Sequence, residues 1–370
     1  MSEENVTDPE LDEVRARIRQ LDSELIALAA ERVELVRRVG AIKRRHGLRL
    51  IDYAQERRVL DSAADIARER GLDPEVAQDL MARLIRAAVT IQEEANLQHA
   101  ATGEGKRAVV VGGAGRMGRW TVRFLEAQGW ATSILDPAAE SDENERSRQW
   151  LPAAELVVCA TPPEATRSVY EAWVAAPAGE RPGGVVVDMA SIKAPLTEAI
   201  AALRAAGCRV ASIHPMFGAE TPLLRNKEVV VCDTGDEAAS EYVESLFRPT
   251  TAELVRLPLD HHDRVMADVL SLAHATVIAF TLALPDDTPA VHSNTYRKLL
   301  ALADNAVDQS PDVYFQIQAL NPHSAAALER LHRGLGEVRE VIESHRRSSF
   351  AELLAEGRRR LHGDGRRGDE

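Results

Sequence analysis

The chain has 370 residues, of which 45% are hydrophobic and 28% charged, a composition typical of a folded globular protein and too apolar for bulk disorder. This length is enough for two or three domains. The formal net charge of -13 argues against general affinity for nucleic acid or an anionic membrane surface, although a local arginine cluster can still bind a small anion.

Cysteine usage and the amino terminus indicate the compartment. Cys159, Cys208 and Cys232 lie in apolar runs without metal-ligand spacing, which predicts reduced core thiols and no metal site. The first residues, MSEENVTDPELDEV, are acidic and polar, unlike a signal peptide. No uninterrupted apolar run of about 18 residues appears, so no membrane span is expected. We therefore expect a cytoplasmic protein.

Residues 11–98 are predicted to be entirely helical. A first helix of roughly 35 residues is followed by a second over roughly 53–70 and by a third that begins with Asp73 as N-cap and Pro74 at the first helical position. A helix about 50 Å long cannot bury its apolar seam against two shorter helices in a compact monomer, so we expect an intertwined dimer. The seam consists of Leu11, Val14, Ile18, Leu21, Leu25, Leu28, Leu35, Val39 and Ile42, and Arg32 occupies the position between Leu28 and Leu35.

A polar linker, HAATGEGK, separates this region from a different pattern. Six short apolar runs then alternate with helical stretches, which predicts βαβ units and a mostly parallel sheet. From about residue 258 the chain returns to helix, starting with one long apolar helix and continuing to about 362. The predicted architecture is multi-domain: an all-α helical domain (1–102), an α/β Rossmann domain (105–257) and an all-α substrate-binding and dimerisation domain (258–370).

A dinucleotide fingerprint follows the first predicted strand, in RAVVVGGAGRMGRW. Its first glycine allows a tight turn, the second lets the backbone approach a pyrophosphate, and the third lets the helix pack on the strand. The next strand ends in Asp136, whose carboxylate suits ribose hydroxyls and repels a 2′-phosphate, so NAD is favoured over NADP. A turn that binds nothing is the structural alternative. The predicted cofactor-binding residues are Gly113, Gly115, Arg116, Met117, Gly118, Asp136, Thr161 and Pro162.

Two further predicted strands end in VVVDMASIK and VASIHPMFG. Because the carboxyl ends of parallel strands face the ligand crevice, Ser191 and His214 are candidates for one site. A neutral imidazole there can take a proton from an alcohol while hydride leaves the same carbon for NAD, and Ser191 can orient or relay. The alternative for His214 is a hydrogen-bonded loop histidine.

Over about residues 105–345 these motifs, together with LSLAHA and SNTYRKLL, resemble the prephenate dehydrogenase family. The resemblance implies that His214 is the catalytic acceptor at the ring hydroxyl, beside Ser191, and that the ring carboxylate leaves as CO₂ as the ring becomes aromatic. It also implies that Arg297 holds a substrate carboxylate and that His274 lines the pocket. The alternatives are a surface salt bridge for Arg297 and a packed helix residue for His274, and no role is assigned to His261, His262 and His292.

Arg32 on the helical seam has two interpretations. It can set the register of a coiled coil or extend its charge to solvent. Alternatively, it forms a pocket for a small polyanion with Lys43, three turns away on roughly the same face, and with Arg15.

Residues 11–98 resemble an all-helical chorismate mutase. The resemblance assigns Arg15, Arg32, Lys43, Asp52, Glu56 and Gln92 to the active site, with the first arginine reaching across from the partner subunit. It implies that Arg15 and Arg32 bind the two carboxylates of chorismate, that Lys43 and Gln92 stabilise charge on the ether oxygen, and that Glu56, with Asp52 nearby, accepts from the ring hydroxyl.

The chain departs from the mutase pattern at two positions. Gln55 stands where relatives have an arginine just before the glutamate, and Ala88 replaces a small hydroxyl residue. The two resemblances together nevertheless imply a bifunctional chorismate mutase and prephenate dehydrogenase of tyrosine biosynthesis, with tyrosine as an inhibitor. We expect this protein to be a homodimer. The alternatives are the same fold acting on 4-amino-4-deoxychorismate and 4-amino-4-deoxyprephenate, or a dehydrogenase with a regulatory, inactive mutase domain.

Overall fold

A computed structural model describes residues 9–46, 48, 52–100, 102–221, 224–287, 289, 291–307 and 310–363. Three regions follow one another: a set of helices, a seven-stranded sheet flanked by helices, and a second set of helices. This order agrees with the architecture predicted from the sequence.

The amino-terminal region consists of α1 (Pro9–Arg45), α2 (Tyr53–Glu69) and α3 (Pro74–Ala100). The Asp73 side chain accepts a hydrogen bond from the Glu75 N–H at 2.9 Å, which confirms the predicted start of α3. The apolar seam of α1 is exposed within one chain: Leu25 is 56% exposed and Leu28 62%. Packing among the described residues therefore leaves this face of α1 exposed.

The central region is a sheet with the order β2-β1-β3-β4-β5-β6-β7. Neighbouring strands are parallel except for the antiparallel pair β5–β6. All six predicted strands are present, and β7 is an additional edge strand that the sequence did not predict. The strands are β1 (Arg107–Val111), β2 (Ala131–Leu135), β3 (Leu156–Cys159), β4 (Val185–Asp188), β5 (Arg209–Pro215), β6 (Glu228–Asp233) and β7 (Glu253–Pro258).

Helices cover both faces of this sheet, and β3 and β4 are buried along their whole length. The order reverses between β1 and β3, which creates the crevice at which doubly wound sheets bind ligands. The three cysteines are free and buried in this domain, as predicted. The helices are α4 (Arg116–Glu126), α5 (Ser141–Trp150), α6 (Pro163–Ala175), α7 (Thr197–Ala205) and α8 (Glu237–Phe247).

The carboxyl-terminal region begins with the long apolar helix that the sequence predicted. It comprises α9 (Leu259–Met266), a π-helical segment (Ala267–Leu272) and α10 (Ala273–Leu282). By length and composition alone Leu259–Leu282 is a candidate membrane span, a result that counting uninterrupted apolar runs did not anticipate. Its first turns nevertheless pack on the sheet, where Met266 joins a buried cluster with Val230. The remaining helices are α11 (Asn294–Val307), α12 (Pro311–Leu320), α13 (Ser324–Glu343) and α14 (Arg347–His362).

Candidate active sites

The glycine-rich turn after β1 has the geometry of a dinucleotide cradle. Gly112, one residue before the fingerprint, takes the left-handed φ of 77° that the turn requires. A Cβ on Gly118 would lie 2.1 Å from the Gly112 carbonyl oxygen, so only glycine lets α4 approach β1. Gly115 is the N-cap of α4 and offers no side chain to its first N–H groups. These donors remain open to a phosphate.

The residues around the cradle fit the adenosine half of such a cofactor. The Asp136 side chain, just beyond β2, accepts a hydrogen bond from the Ala114 N–H at 3.1 Å, so the carboxylate lies against the glycine turn. Thr161 lies against the glycine turn: a Cβ added to Gly112 would be 2.5 Å from Cγ2 of Thr161. Pro162 follows it as the N-cap residue of α6. Open glycines, unsatisfied N–H groups and a carboxylate beyond β2 together match the donors and acceptors of a dinucleotide.

Two residues of the fingerprint have other contacts as well. Arg116 forms an exposed ion pair with Glu220 at 2.9 Å, which links the cradle to the loop between β5 and β6. Met117 packs against the hydrophobic core cluster that contains Phe124. Any contribution of Met117 to a phosphate therefore comes from its backbone.

His214, near the end of β5, is the first member of a buried hydrogen-bonded chain. Its Nδ1 lies 3.1 Å from Nε2 of His262, and Nδ1 of His262 lies 2.7 Å from Oδ1 of Asp263. His262 and Asp263 belong to α9, which packs on the sheet behind His214. All three residues are buried.

The chain of bonds determines which nitrogen of His214 is free. Asp263 also accepts from the backbone N–H groups of Lys193 and Ala194, at 2.8 and 2.7 Å. Burial raises the pKa of Asp263, but the bonds from His262 and from these N–H groups outweigh it, so the pKa lies below its ordinary value. An ionised Asp263 only accepts, so His262 donates from Nδ1 and accepts at Nε2, and His214 donates from Nδ1. The lone pair of His214 is then on Nε2.

The environment of His214 keeps its ring neutral. Burial lowers its pKa well below the ordinary value, and the electrostatic interactions with the His262 ring and with the Lys193 ammonium act in the same direction. A neutral imidazole with one free lone pair is a general base. The predicted role of His214 as a base stays a prediction, which this geometry supports.

A buried ion pair supports this base from the neighbouring strand. The Lys193 ammonium lies 2.6 Å from Oδ1 of Asp188 and 2.7 Å from the Ile213 carbonyl oxygen, and both charged side chains are fully buried. These contacts tie the end of β4 to the residue just before His214. The sequence interpretation did not identify Asp188, Lys193, His262 or Asp263 as parts of the site.

One signal in the sequence points to His262, namely a His-Asp pair that opens the first helix after the sheet. The sequence cannot choose between His261 and His262, because the choice depends on which face of α9 meets the sheet. In the structure His261 is exposed and His262 is buried.

The other predicted dehydrogenase residues occupy separate positions. Ser191 is half-buried just beyond β4, at the same sheet edge as His214. The His274 ring lies 4.3 Å from the Tyr314 ring, and its buried Nδ1 has no hydrogen-bond partner among the described residues. Arg297 is exposed on α11. Among the described residues, no hydrogen bond or ring contact joins Ser191, His274 or Arg297 to His214.

In the amino-terminal helices, α1 and α3 bring two predicted mutase residues to one interface. Gln92 is 6% exposed, and its side-chain amide donates to the Val36 carbonyl at 3.0 Å. Nη1 of Arg32 contacts the Leu84 carbonyl at 3.4 Å. Gly40 of α1 leaves room for Gln92, because a Cβ there would lie 3.0 Å from Gln92 Cγ. Arg32 thus turns toward α3 rather than to solvent.

The remaining mutase candidates lie on α1 and α2. Asp52 is exposed and caps α2 by accepting from the Gln55 N–H at 2.9 Å. Lys43 is half-buried. Arg15 is exposed, and its Nη1 lies 3.8 Å from Oδ1 of Asp12. About 25 Å of helix separates Arg15 from Arg32. Within one chain, Arg15 therefore cannot join Arg32.

Glu56 has a partner that the sequence did not suggest. Its carboxylate forms an ion pair with Arg225, which lies in the turn before β6. Gln55 is exposed, and its side-chain oxygen accepts from Arg58 at 2.8 Å. Ala88 is buried in α3. The cation beside Glu56 thus comes from the sheet domain rather than from position 55.

Comparison with known proteins gives two matching family models: "Chorismate mutase type II" over residues 14–93 and "Prephenate dehydrogenase, nucleotide-binding domain" over residues 138–256. A T-protein of Enterobacter agglomerans is 28% identical over 347 residues, covering 92% of this chain and 90% of that protein. A 4-amino-4-deoxyprephenate dehydrogenase of Streptomyces pristinaespiralis is 31% identical over 277 residues, covering 68% of this chain and 89% of that protein.

Solved structures share the fold of the dehydrogenase part. The prephenate dehydrogenase from Aquifex aeolicus, in complex with hydroxyphenyl propionate and NAD⁺, is 17% identical with a TM-score of 0.54, covering 69% of this chain and 97% of that one. A putative prephenate dehydrogenase from Corynebacterium glutamicum is 19% identical with a TM-score of 0.57, covering 69% of this chain and 88% of that one.

Proposed function

Because the chain belongs to the prephenate dehydrogenase family and carries a chorismate mutase domain of type II at its amino terminus, we propose that it catalyses two consecutive steps of tyrosine biosynthesis. The helical domain rearranges chorismate to prephenate. The Rossmann domain then oxidises and decarboxylates prephenate to 4-hydroxyphenylpyruvate. The observation that carries the second step is the His214–His262–Asp263 chain at the sheet edge that also holds the dinucleotide cradle.

In the dehydrogenase reaction, NAD, when bound, supplies the acceptor for hydride. The glycine turn and the α4 N–H groups would hold its phosphates, and Asp136 would accept from its ribose hydroxyls. Nε2 of His214 accepts the proton of the ring hydroxyl, and Ser191 orients that hydroxyl. His262 and Asp263 keep the His214 lone pair on Nε2 and stabilise the imidazolium once it forms. Arg297 and His274 bind the substrate.

In the mutase reaction, the protein needs only to fold the substrate and stabilise charge. Arg32 and the partner subunit's Arg15 bind its carboxylates, while Lys43 and Gln92 face the ether oxygen. Glu56 and Asp52 bind the ring hydroxyl. The exposed seam of α1 and the distance between Arg15 and Arg32 support a homodimer. Three buried free thiols support a cytoplasmic location, and inhibition by tyrosine remains part of the proposal.

The function is tested by supplying purified full-length protein with chorismate and NAD in one reaction. We expect chorismate to disappear while NADH and 4-hydroxyphenylpyruvate form. His214→Asn should still consume chorismate and bind NAD but accumulate prephenate. No loss of chorismate in the unmodified protein would favour the alternative of a regulatory helical domain, and undiminished NADH formation by His214→Asn would contradict its role as base.

A second candidate is the pair of reactions on amino analogues. It is favoured by the 31% identity to a 4-amino-4-deoxyprephenate dehydrogenase. The anchors named above bind carboxylates that both substrates share, so they do not separate the two functions. The ratio of kcat/KM for prephenate and 4-amino-4-deoxyprephenate with NAD decides, and a higher value for the amino compound would replace the first proposal.

A further inference from the structure

A contact between the helical domain and the sheet domain involves the predicted mutase residue Glu56. The guanidinium of Arg225, 169 positions further along the chain, donates to the Glu56 carboxylate. The side chains of Arg225 and Glu56 are only 14% and 19% exposed. This shielding separates the pair from ordinary surface ion pairs, which are screened by water and contribute little. A charge-assisted hydrogen bond in such surroundings strongly orients its carboxylate.

The turn that carries Arg225 is held in place independently of Glu56. The Lys227 N–H donates to the Leu224 carbonyl at 3.0 Å, and Asn226 within this turn has a φ of 55°. The Leu224 N–H donates to the buried Glu93 carboxylate at 3.0 Å. Because Glu93 follows Gln92 on α3, the turn that presents Arg225 is anchored to the same helix that carries a mutase residue. The guanidinium is therefore preorganised toward Glu56.

Arg225 also has donor capacity to spare. Its Nη1 is buried and has no hydrogen-bond partner among the described residues. Such a donor is costly unless an acceptor reaches it. Arg225 and Glu56 both line a cavity of about 220 Å³, together with Leu60, Ala82, Ile85, Arg86 and Asn226 of α2, α3 and the turn. An oxygen of an anionic ligand is the kind of acceptor that a guanidinium binds.

The adjacent position of α2 offers no cation. Gln55 is neutral and exposed. Its Oε1 accepts hydrogen bonds from Nε of Arg58 at 3.1 Å and from Nη2 of Arg58 at 2.8 Å. We propose that Arg225, although it belongs to the dehydrogenase domain, is a positioning residue of the mutase site: it holds Glu56 and supplies the positive charge that position 55 lacks. The inference rests on the proposed mutase function. It means that docking of the two domains orients Glu56 of the mutase site.

The test compares Arg225→Ala, Arg225→Lys and the double variant Gln55→Arg/Arg225→Ala in the full-length protein. We expect Arg225→Ala to lower mutase kcat by about ten- to a hundredfold, the loss typical of a charge-assisted hydrogen bond. Arg225→Lys should retain part of the activity, and Gln55→Arg should restore much of what Arg225→Ala loses. Prephenate dehydrogenase turnover should change by no more than about twofold in each variant. The Tm should change by no more than a few degrees.

Arg256→Ala is the matched control, since it removes an arginine of the same domain from exposed pairs with Glu237 and Glu244 and should leave mutase turnover unchanged. Three results would overturn the proposal. They are full mutase activity in Arg225→Ala, a joint fall of both activities and of Tm in that variant, and mutase activity in Arg225→Lys and in Gln55→Arg/Arg225→Ala that is no higher than in Arg225→Ala. An unmodified protein without mutase activity would instead contradict the proposed function, so the two failures are distinguishable.

Discussion

Nδ1 of His214 lies 3.1 Å from Nε2 of His262, although 48 positions separate the two residues in the chain. The contact joins the end of a central strand to the first helix after the sheet. Through it, the ionised Asp263 determines which nitrogen of His214 accepts a proton.

Removing the second histidine should therefore impair the dehydrogenase selectively. We expect His262→Ala to lower kcat for prephenate oxidation by about ten- to a hundredfold, because His214 loses the acceptor that orients its ring. His261→Ala removes an exposed histidine one residue away and should have no effect. Steady-state assays of both activities in each variant check this, since a parallel loss of mutase turnover would indicate misfolding rather than a role in proton transfer.

The pH dependence of the dehydrogenase should follow the buried base. Burial first, then the electrostatic interactions with His262 and with the Lys193 ammonium, lower the pKa of His214 well below its ordinary value of 6.5. Proton transfer requires neutral His214, so kcat/KM should stay level as the pH falls through 6.5 and decrease only in more acidic solution. The pH profile of kcat/KM, which reports ionisations of the free enzyme, tests this. An acidic limb centred at or above pH 6.5 would contradict the assignment of His214 as the base.

Cofactor choice should depend on the carboxylate beyond β2. Asp136→Ala removes the group that accepts from the ribose hydroxyls and repels a 2′-phosphate, so we expect the preference for NAD over NADP to fall by about tenfold or more. The ratio of kcat/KM for the two cofactors measures this directly. An unchanged ratio would mean that Asp136 does not bind the ribose hydroxyls of the cofactor. Because Asp136 also accepts from the Ala114 N–H, Asp136→Asn is a useful control for disturbance of the glycine turn.

A mutase site built from two subunits should show complementation. Arg15→Ala and Arg32→Ala should each abolish most mutase activity alone. Mixed dimers contain one site with both arginines, so random reassociation should restore about a quarter of the sites. Mutase assays after mixing and subunit exchange check this, with the dehydrogenase as internal reference. No recovery despite exchange would mean that each chain uses its own Arg15.

Several features were predictable because their physical causes are local. The fingerprint glycines were predicted from their spacing and from the strands on either side of them, and the structure shows why the third is needed, since Gly118 has no room for a Cβ. Asp73 and Pro74 marked the start of α3, because a cap requires only its own first turn. The edge strand β7 was missed, because Glu253–Pro258 is only partly buried and lacks the continuous apolar run of the central strands.

The sequence by itself determined the order of the domains, the cradle for a dinucleotide and His214 as a candidate base, because periodicity, turn chemistry and short motifs act within a few residues. Glu56 became a candidate through the resemblance to chorismate mutases. Only the tertiary structure decided which groups those two residues meet. His262 rather than His261 reaches His214 because of the face that α9 turns to the sheet. Arg225 reaches Glu56 because the turn before β6 docks on the helical domain. Contacts between such distant positions depend on how whole elements pack, and no local pattern in the chain encodes that packing.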